Sequence, residues 1–279
     1  MDASVAALVL LAALLHAGWN ALVKVSADRL VVLALLTGGG GVIACFAIPF
    51  LPAPAVASWP YIGASVALHA GYNLFLLLAY RHGDFGQVYP IARGTAPLLV
   101  AVLAAAVAGE RLGPGELLAV LVISAGIIGL AFRGGPPVRD DPRPVLYALA
   151  TAAFIAAYTL VDGLGARAAG TPHGYAAWLF ACDMLPLPAV ALWLRRHEAL
   201  GAVRRHWRAG LGGGAMSLAA YWLVIWAMTL APMATVAALR EVSVVFAAVL
   251  ATVLLKERFG PWRIAAATAV ALGVVLLRI

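Results

Sequence analysis

One long apolar stretch occurs twice in this chain, and this repetition is the strongest constraint on its fold. The stretch of residues 84–114 recurs as residues 233–261, and an offset of 147 positions places Arg93 on Arg240 and Pro114 on Pro261. Each copy has one arginine within an apolar run and ends in a charged turn, ERLGP in the first copy and ERFGP in the second. An internal repeat of this kind predicts a fold built from two related halves.

The composition places both halves in a membrane. Of the 279 residues, 64% are hydrophobic and 11% are charged, and the mean hydropathy is +0.98. A soluble domain of this length carries far more polar surface. The net charge of +7 comes from basic residues in short loops that form no stripe, so we expect no nucleic-acid partner. Cys45 and Cys182 lie within apolar runs, where we expect them to be buried as small hydrophobic residues.

Ten long apolar runs predict ten transmembrane helices. Residues 133–143, rich in glycine, proline and charge, separate five runs from the other five. We therefore predict an all-α membrane protein with a first half of residues 1–132, this central linker, and a second half of residues 144–279. The first run lacks a basic leader and a cleavage site, so we expect it to stay as a mature helix. The predicted helices cover residues 3–23, 30–51, 60–80, 85–108, 115–132, 144–166, 173–194, 209–230, 232–255 and 262–277.

Each half contains an odd number of predicted helices, and this has a geometric consequence. Equivalent turns of the two halves, such as ERLGP and ERFGP, must lie on opposite sides of the membrane. The sequence therefore predicts two inverted five-helix repeats, related by a pseudo-two-fold axis in the membrane plane. Inverted repeats are typical of transporters, whose binding site lies near the midplane at the repeat interface.

Lysine and arginine are distributed unequally between the two sides of the predicted bundle. Because cytoplasmic loops carry an excess of these residues, the richer side is expected to be cytoplasmic and both chain termini are expected outside. The other side holds only three of them, Arg111, Arg167 and Arg278. The 14 basic residues of the odd-numbered loops are Lys24, Arg29, Arg81, Arg133, Arg139, Arg143, Arg195, Arg196, Arg204, Arg205, Arg208, Lys256, Arg258 and Arg263.

Polar side chains inside the predicted helices are the candidates for a binding site. A charge at the bilayer centre costs about 2.5–3.5 kcal/mol, so such residues normally face the bundle interior. Many recur at helical spacing on one face, as His16, Asn20 and Lys24 do. The predicted substrate-binding residues are His16, Trp19, Asn20, His69, Tyr72, Asn73, Tyr89, Arg93, Tyr158, Trp222, Trp226 and Arg240.

Arg93 and Arg240 are the strongest candidates, because the repeat puts them at similar depth on two sides of one cavity. Arginine stays charged when poorly solvated, and its fork suits a carboxylate or phosphate. Arg93 has no acidic residue in its own helix, so we predict that it contacts an anionic group of a small solute. Pro90 and Pro97 flank it, each removing a backbone donor, so we expect this helix to bend or unwind and to expose carbonyl groups.

Structural explanations stay open for several of these residues. Ion pairs that merely hold the helices together would explain both arginines, Asp162 and Asp183, and a pair between Arg93 and Asp162 is the main rival to a substrate contact. The tryptophans could face lipid, and the two histidines could serve helix packing. Lys24 and Asp162 lie near predicted helix ends and could reach the membrane surface. The ERxGP turns have a structural explanation, since proline starts helices and glycine ends them.

Two acidic residues within apolar runs are candidates for carrying a proton. Intramembrane carboxyl groups often form proton relays, so we predict proton coupling for Glu241 and, as a second candidate, Asp183. The sequence has no His-Glu-x-x-His zinc pair, no nucleophile elbow, no Cys/His ligand cluster and no Walker A motif. We therefore expect no catalytic residue, metal or cofactor, and an intramembrane enzyme or ATP-driven pump is disfavoured.

The HAGWNALVKVS segment in the first helix, the paired ERLGP and ERFGP turns and the ten-helix inverted repeat together resemble the drug/metabolite transporter superfamily, EamA type. The resemblance covers the whole chain as two EamA-like halves. It implies secondary transport of small organic solutes such as amino acids, often export, without ATP. It also implies cytoplasmic termini, contrary to the charge distribution, and a cavity lined by helices one, three, four, six, eight and nine. Asp183, on the seventh helix, departs from that pattern.

Taken together, these features predict a secondary transporter, and more specifically an exporter of amino acids or related metabolites by alternating access. A flippase for lipids or lipid-linked sugars on the same fold is the alternative. A channel is disfavoured, because inverted halves suit alternating access. The expected partners are a small-molecule substrate and the lipid bilayer of the plasma (inner) membrane. Monomer and homodimer both remain open.

Overall fold

The computed structural model describes residues 1–24, 26, 28–134, 141–194, 199–255 and 260–277, and this part of the chain contains helices and no strand. Short 3-10 turns cover Ile48–Phe50, Val56–Ser58 and Leu130–Gly134. The α-helices are α1 (Ala3–Lys24), α2 (Arg29–Ala47), α3 (Trp59–His82), α4 (Phe85–Ala108), α5 (Pro114–Gly129), α6 (Arg143–Ala168), α7 (Pro172–Asp183), α8 (Pro186–Leu194), α9 (Ala199–Ala227), α10 (Met233–Arg240), α11 (Ser243–Leu255) and α12 (Pro261–Leu276).

The helices combine into ten apolar segments in the described residues. Nine segments are long and apolar enough to cross a membrane, with α7 joined to α8 and α10 joined to α11. The tenth segment, α12, has 16 residues and is shorter than the other nine. The prediction of an all-α membrane protein is confirmed. Most of the predicted linker, residues 135–140, and residues 256–259 of the second charged turn lie outside the described part of the chain.

The helix boundaries follow from local sequence signals. The Asp84 side chain accepts a hydrogen bond from the amide at the start of α4, and Thr171 does the same for α7. Pro114 and Pro261 occupy the first positions of α5 and α12, where the missing amide costs nothing. Gly109 ends α4 in the left-handed region, at a φ of 66°.

Helix packing follows the symmetry of the sequence repeat. In the described bundle α3 packs against α6, and the equivalent pair is α9 against α1. α5 packs against α12, its own equivalent, and two equivalent glycines make this crossing close. A Cβ on Gly126 would lie 2.5 Å from Ala269, and one on Gly273 would lie 2.3 Å from Ile123. The two halves therefore meet through paired surfaces, as the repeat requires.

The glycine run of α2 packs against α9. A Cβ added to Gly39 would lie 2.6 Å from the Gly210 carbonyl oxygen, and one added to Gly214 would lie 2.5 Å from the Gly40 nitrogen. Backbones can approach this closely only where side chains are absent, which is how helices pack in a membrane. The glycine run at residues 38–41 therefore allows close packing between these helices.

Two local expectations from the sequence, an unwound α4 and a buried Cys45, are wrong. α4 continues through Pro90 and Pro97 without unwinding. The unwound residues lie instead in the equivalent segment of the second half, where Glu241 and Val242 separate α10 from α11. The amides of residues 241, 242, 244 and 245 there bond to carbonyls three residues back, which is the tighter 3-10 pattern. Cys45 is exposed on the outside of the bundle rather than buried, because the apolar surroundings of its run are bilayer and not protein.

Candidate functional site

The centre of the bundle is formed by α10 and the short turn that follows it. All eight residues of α10 are buried, an unusual state for a helix that ends in an arginine. α10 packs against α4, which is its equivalent in the other half. This packing brings the ends of the two repeated segments, with Arg93 and Arg240, into one polar cluster.

Arg93 forms a buried ion pair with Glu241. The Arg93 Nε atom lies 2.9 Å from a Glu241 carboxylate oxygen, and only 5% and 1% of the two side chains are exposed. The N–H does not point at that oxygen, so the contact is a charge pair and not an aligned hydrogen bond. Arg93 Nη2 also donates to the Ser243 hydroxyl at 3.5 Å. The expected rival partner, Asp162, does not pair with Arg93, because the break after α10 places Glu241 there instead.

Arg240 lies beside this pair and has no carboxylate at ion-pair distance among the described residues. It is 4% exposed, its Nε has no hydrogen-bond partner, and its guanidinium stands 5.8 Å from the centre of the Tyr221 ring. The expectation that Arg93 is the less compensated of the two arginines is therefore wrong. Arg240 is adjacent to Glu241 in sequence, but the Glu241 carboxylate is engaged by Arg93.

Aromatic rings and one imidazole form a wall next to the arginines. Tyr158 stacks on His69 with ring centres 4.2 Å apart and meets Tyr72 and Tyr221 edge-on at 5.8 and 6.0 Å. Such geometries are the favoured ones for aromatic pairs. Further predicted residues, namely Tyr72, Tyr89 and His16, lie close enough to Arg93 and Arg240 to interact electrostatically with both.

Asp162 lies on the other side of the Tyr221 ring. It is fully buried, and its two oxygens accept hydrogen bonds from the Tyr175 hydroxyl at 2.9 Å and the Tyr221 hydroxyl at 2.5 Å. Tyr221 thus contacts Arg240 with its ring and Asp162 with its hydroxyl. The site therefore consists of two arginines, one paired glutamate, a wall of rings and a second buried carboxylate.

Comparison with known proteins identifies the family to which this arrangement belongs. The sequence profile of the EamA-like transporter family matches residues 142–279, and the first half repeats the characteristic turn and arginine of that region. The chain belongs to the EamA-like transporter family. A solved crystal structure superposes with a TM-score of 0.76 at 20% identity, covering 99% of this chain and 97% of its own, which shows the shared fold. The comparison with curated proteins finds no match.

Family membership makes the protein an integral, multi-pass membrane transporter of the drug/metabolite type. EamA-like proteins are transporters and not enzymes. The described residues contain no group of three metal-ligating side chains. A role of the polar cluster in transport, and its contacts with a solute, are treated below as a proposal.

Several predicted residues of this EamA-like protein lie apart from the two arginines. Trp222 donates to His173 at 2.8 Å, and the Trp226 ring lies 6.1 Å from the same imidazole. Trp222 also lines an apolar groove with Leu11 and Leu15, so it faces away from the charged cluster. Asp183 lies at the end of α7, near Asp162 and His69.

The remaining predicted residues lie on α1 and α3. Asn20 donates to the His16 carbonyl at 2.8 Å, so its amide is used within α1. Trp19 packs edge-on against the His16 ring at 4.9 Å, and its indole N–H is buried without a partner. Asn73 is half-buried on α3. The first helix therefore places His16 near the two arginines with Trp19 beside it, and substrate binding stays a prediction for all four residues.

Sequence reasoning assigned the ERLGP turn a purely structural role and missed its contact with the second half. The Glu110 carboxylate accepts from Arg167 at 2.6 Å and from the Met233 backbone amide, which begins α10, at 2.8 Å. Arg167 also donates to the Met228 and Ala231 carbonyls, at 2.9 and 3.3 Å. We call these contacts the Glu110 latch. The available signal was the recurrence of glutamate at the same place in both repeats.

Proposed function

We propose that this EamA-like protein is a secondary carrier for a small organic solute with at least one anionic group, bound at Arg240. One observation carries the proposal, namely a buried guanidinium without a carboxylate partner in the described structure. A buried charge that is left uncompensated is strongly destabilising, so it calls for a counterion. A substrate carboxylate or phosphate supplies one and matches the donor fork of arginine.

The charges of the cluster support an anion. Arg93 and Arg240 contribute two positive charges and Glu241 one negative charge, which leaves an excess of one positive charge. Asp162 is not counted with the cluster, because its oxygens bond to the Tyr175 and Tyr221 hydroxyls and it makes no ion pair with either arginine in the described residues. The aromatic wall of Tyr72, Tyr158 and Tyr221 can pack an apolar part of the solute. Amino acids and related organic acids combine both features.

We propose that Arg93 also contacts the bound anion once Glu241 has taken up a proton. Protonation removes the charge of Glu241, so Arg93 loses its ion-pair partner and its fork becomes available. In this way Glu241 couples solute binding to a proton, whereas Asp183 is the second candidate because it lies near His69 at the other end of the cluster. Transport would then depend on the pH gradient.

Alternating access fits the symmetry of the bundle. The Glu110 latch joins the turn between α4 and α5 to α6 and α10 at one end of the cluster, so this end is closed by polar contacts between the two halves. An inverted repeat can close either end with related contacts. We propose export across the plasma (inner) membrane as the direction, following the family likeness.

A flippase for lipids or lipid-linked sugars is the second candidate, and one feature favours it. An apolar groove of about 470 Å³ runs between α1, α2 and α9, lined by Leu11, Leu15, Ile43 and Trp222 among others. An acyl chain could occupy such a groove while a polar headgroup reached the cluster. The excess positive charge at Arg240 would then bind a phosphate.

Uptake into proteoliposomes tests the proposal. The panel would contain radiolabelled amino acids and organic acids, their neutral amides and a fluorescent phospholipid, with and without a pH gradient. We expect saturable transport of a soluble anionic member, loss of transport in Arg240→Gln, and normal transport in Arg208→Gln, a surface control. Transport of amides as fast as acids would refute anion binding, and scrambling of the phospholipid alone would favour the flippase.

A further inference from the structure

Asp162 is the buried ionisable group that the proposed carrier does not yet use. It is 0% exposed, and it lies in the middle of the protein on α6 rather than at the membrane surface. No lysine or arginine lies at ion-pair distance from it in the described residues. The expectation that it could reach the membrane surface is therefore wrong. A buried carboxylate without a cation needs another way to balance its charge.

The groups that face Asp162 come from every helix around it. Ser65 and His69 face it from α3, Tyr175 and Asp183 from α7, and Tyr221 from α9. From α4 and α10 the nearest charged groups are Arg93, Glu241 and Arg240, which lie beyond the rings of Tyr158 and Tyr221. The carboxylate thus has hydroxyl donors next to it and the arginine pair behind an aromatic layer.

From this geometry we propose that Asp162 is a proton-binding site and that Tyr221 links it to the anion site at Arg240. The inference rests on the proposed function for the identity of its partner site. Two tyrosine hydroxyls suit both states of the carboxyl group. They donate to it when it is ionised, and a phenol oxygen can accept from it when it is protonated.

Tyr221 provides the route for the proton. Tyr175 is fully buried, whereas Tyr221 is only partly buried, so Tyr221 is the one of the two tyrosines that water can approach. In one step the Tyr221 hydroxyl passes its proton to Asp162 Oδ2 and takes a proton from a hydronium ion at its oxygen, which leaves a neutral water molecule. No electron changes hands, the phenol is restored, and the carboxylate becomes a carboxyl group.

The same residue makes the two sites dependent on each other. The Tyr221 ring contacts Arg240 at 5.8 Å while its hydroxyl bonds to Asp162 at 2.5 Å. A solute anion at Arg240 and an ionised Asp162 would repel each other across this ring, so a bound anion favours protonated Asp162. Coupling of this kind is reciprocal, and proton and anion therefore bind together. The carrier would move them in the same direction.

Infrared difference spectroscopy tests the proton site without any solute. The protein is reconstituted in lipid vesicles, and spectra are recorded between alkaline and acidic pH. We expect a protonated-carboxyl band with one component that disappears in Asp162→Asn and persists in Glu241→Gln and Asp183→Asn. A wild-type band that is unchanged in Asp162→Asn would overturn the proposal.

Variants that keep the carboxyl group cover the case in which Asp162→Asn does not fold. Tyr221→Phe and Tyr175→Phe each remove one hydrogen-bond donor, so the component should remain and change its frequency in both. In transport of the acid found in the panel, only Tyr221→Phe should lose most of the pH dependence. If the component keeps its frequency in both tyrosine variants, the proton site at Asp162 is refuted. If transport depends equally on pH in both variants, the link through Tyr221 is refuted.

The two proposals fail in distinguishable ways. An Asp162 component without transport of any anion would contradict the anion carrier and leave the proton site standing. Anion transport without an Asp162 component would contradict the proton site alone.

Discussion

Removing the Glu110 carboxylate should open the end of the protein that the latch closes. In Glu110→Ala the amide that begins α10 loses its acceptor, and Arg167 loses its anionic partner. In the structure, the Thr235 side chain near the start of α10 is only 1% exposed, so it is held inside the protein. We therefore expect the variant to expose residues of α10 that the closed state buries.

The magnitude follows from the two contacts. A carboxylate that caps a helix amide contributes about 0.5–2 kcal/mol. The pair with Arg167, whose side chain is 34% exposed, is partly screened by solvent and contributes about 0.2–1 kcal/mol. The sum of about 0.7–3 kcal/mol corresponds to a roughly 3- to 150-fold increase in the open population.

Cysteine labelling measures this population. Thr235→Cys places the probe where the native hydroxyl has no hydrogen-bond partner, in a background with Cys45 and Cys182 replaced by alanine. The labelling rate should rise at least about 3-fold in Glu110→Ala, the lower end of the range above. Glu116→Ala is the control, because Glu116 belongs to the same turn and bonds only to Gly113 of its own helix start. Equal labelling in Glu110→Ala and the control would refute the latch.

Three other changes test separate parts of the account. Arg93→Gln and Glu241→Gln should each lower the free energy of unfolding of the purified protein by about 3–5 kcal/mol. The double variant should lose less than the sum of the two single losses, and additive losses measured by unfolding in detergent would contradict the ion pair. Gly214→Ala should lower the melting temperature, because its Cβ would lie 2.5 Å from a backbone nitrogen, whereas Gly212→Ala, with open space around it, should not; equal melting temperatures would contradict the close crossing. Val203→Cys, 43% exposed, should resist an impermeant reagent in intact cells if the basic side is cytoplasmic; strong labelling would support cytoplasmic termini instead.

The sequence predicts the fold of this protein well because its main signals are local or repeated. Apolar runs locate the membrane segments, and the 147-residue offset indicates how the halves relate. The Gly126 and Gly273 positions show the effect, since each allows the same close packing against the equivalent helix of the other half. The lengths of the apolar runs and the symmetry of the repeat are retained in the folded structure, because no other interaction opposes them.

The partners inside the site were harder to predict. Proline indicated an unwound α4, but the chain unwinds at Glu241, which has no proline or glycine beside it. This turn aims the Glu241 side chain at Arg93 and leaves Arg240 with Tyr221. Such pairings depend on the rotation of one helix relative to another, and no spacing within a single helix specifies that rotation.

The Glu110 latch and the Asp162 site illustrate the same limit. Glu110 bonds to Met233, 123 residues further along the chain, and Asp162 bonds to Tyr221, 59 residues further along. Both glutamate and aspartate were visible as unusual residues in the sequence, but their partners were set by tertiary packing. Residue types could therefore be selected from the sequence, whereas their contacts could not.

The most direct test of the central claim is a cycle of binding measurements between Arg240 and the anionic group of the solute. Affinities for the transported acid and its neutral amide are compared in wild type and in Arg240→Gln by calorimetry. A charge-assisted contact of about 1.5–3 kcal/mol predicts that the amide binds wild type roughly 10- to 100-fold more weakly than the acid, and that this difference largely disappears in Arg240→Gln. An equally large preference for the acid in both proteins would show that the anionic group binds elsewhere and would contradict the account.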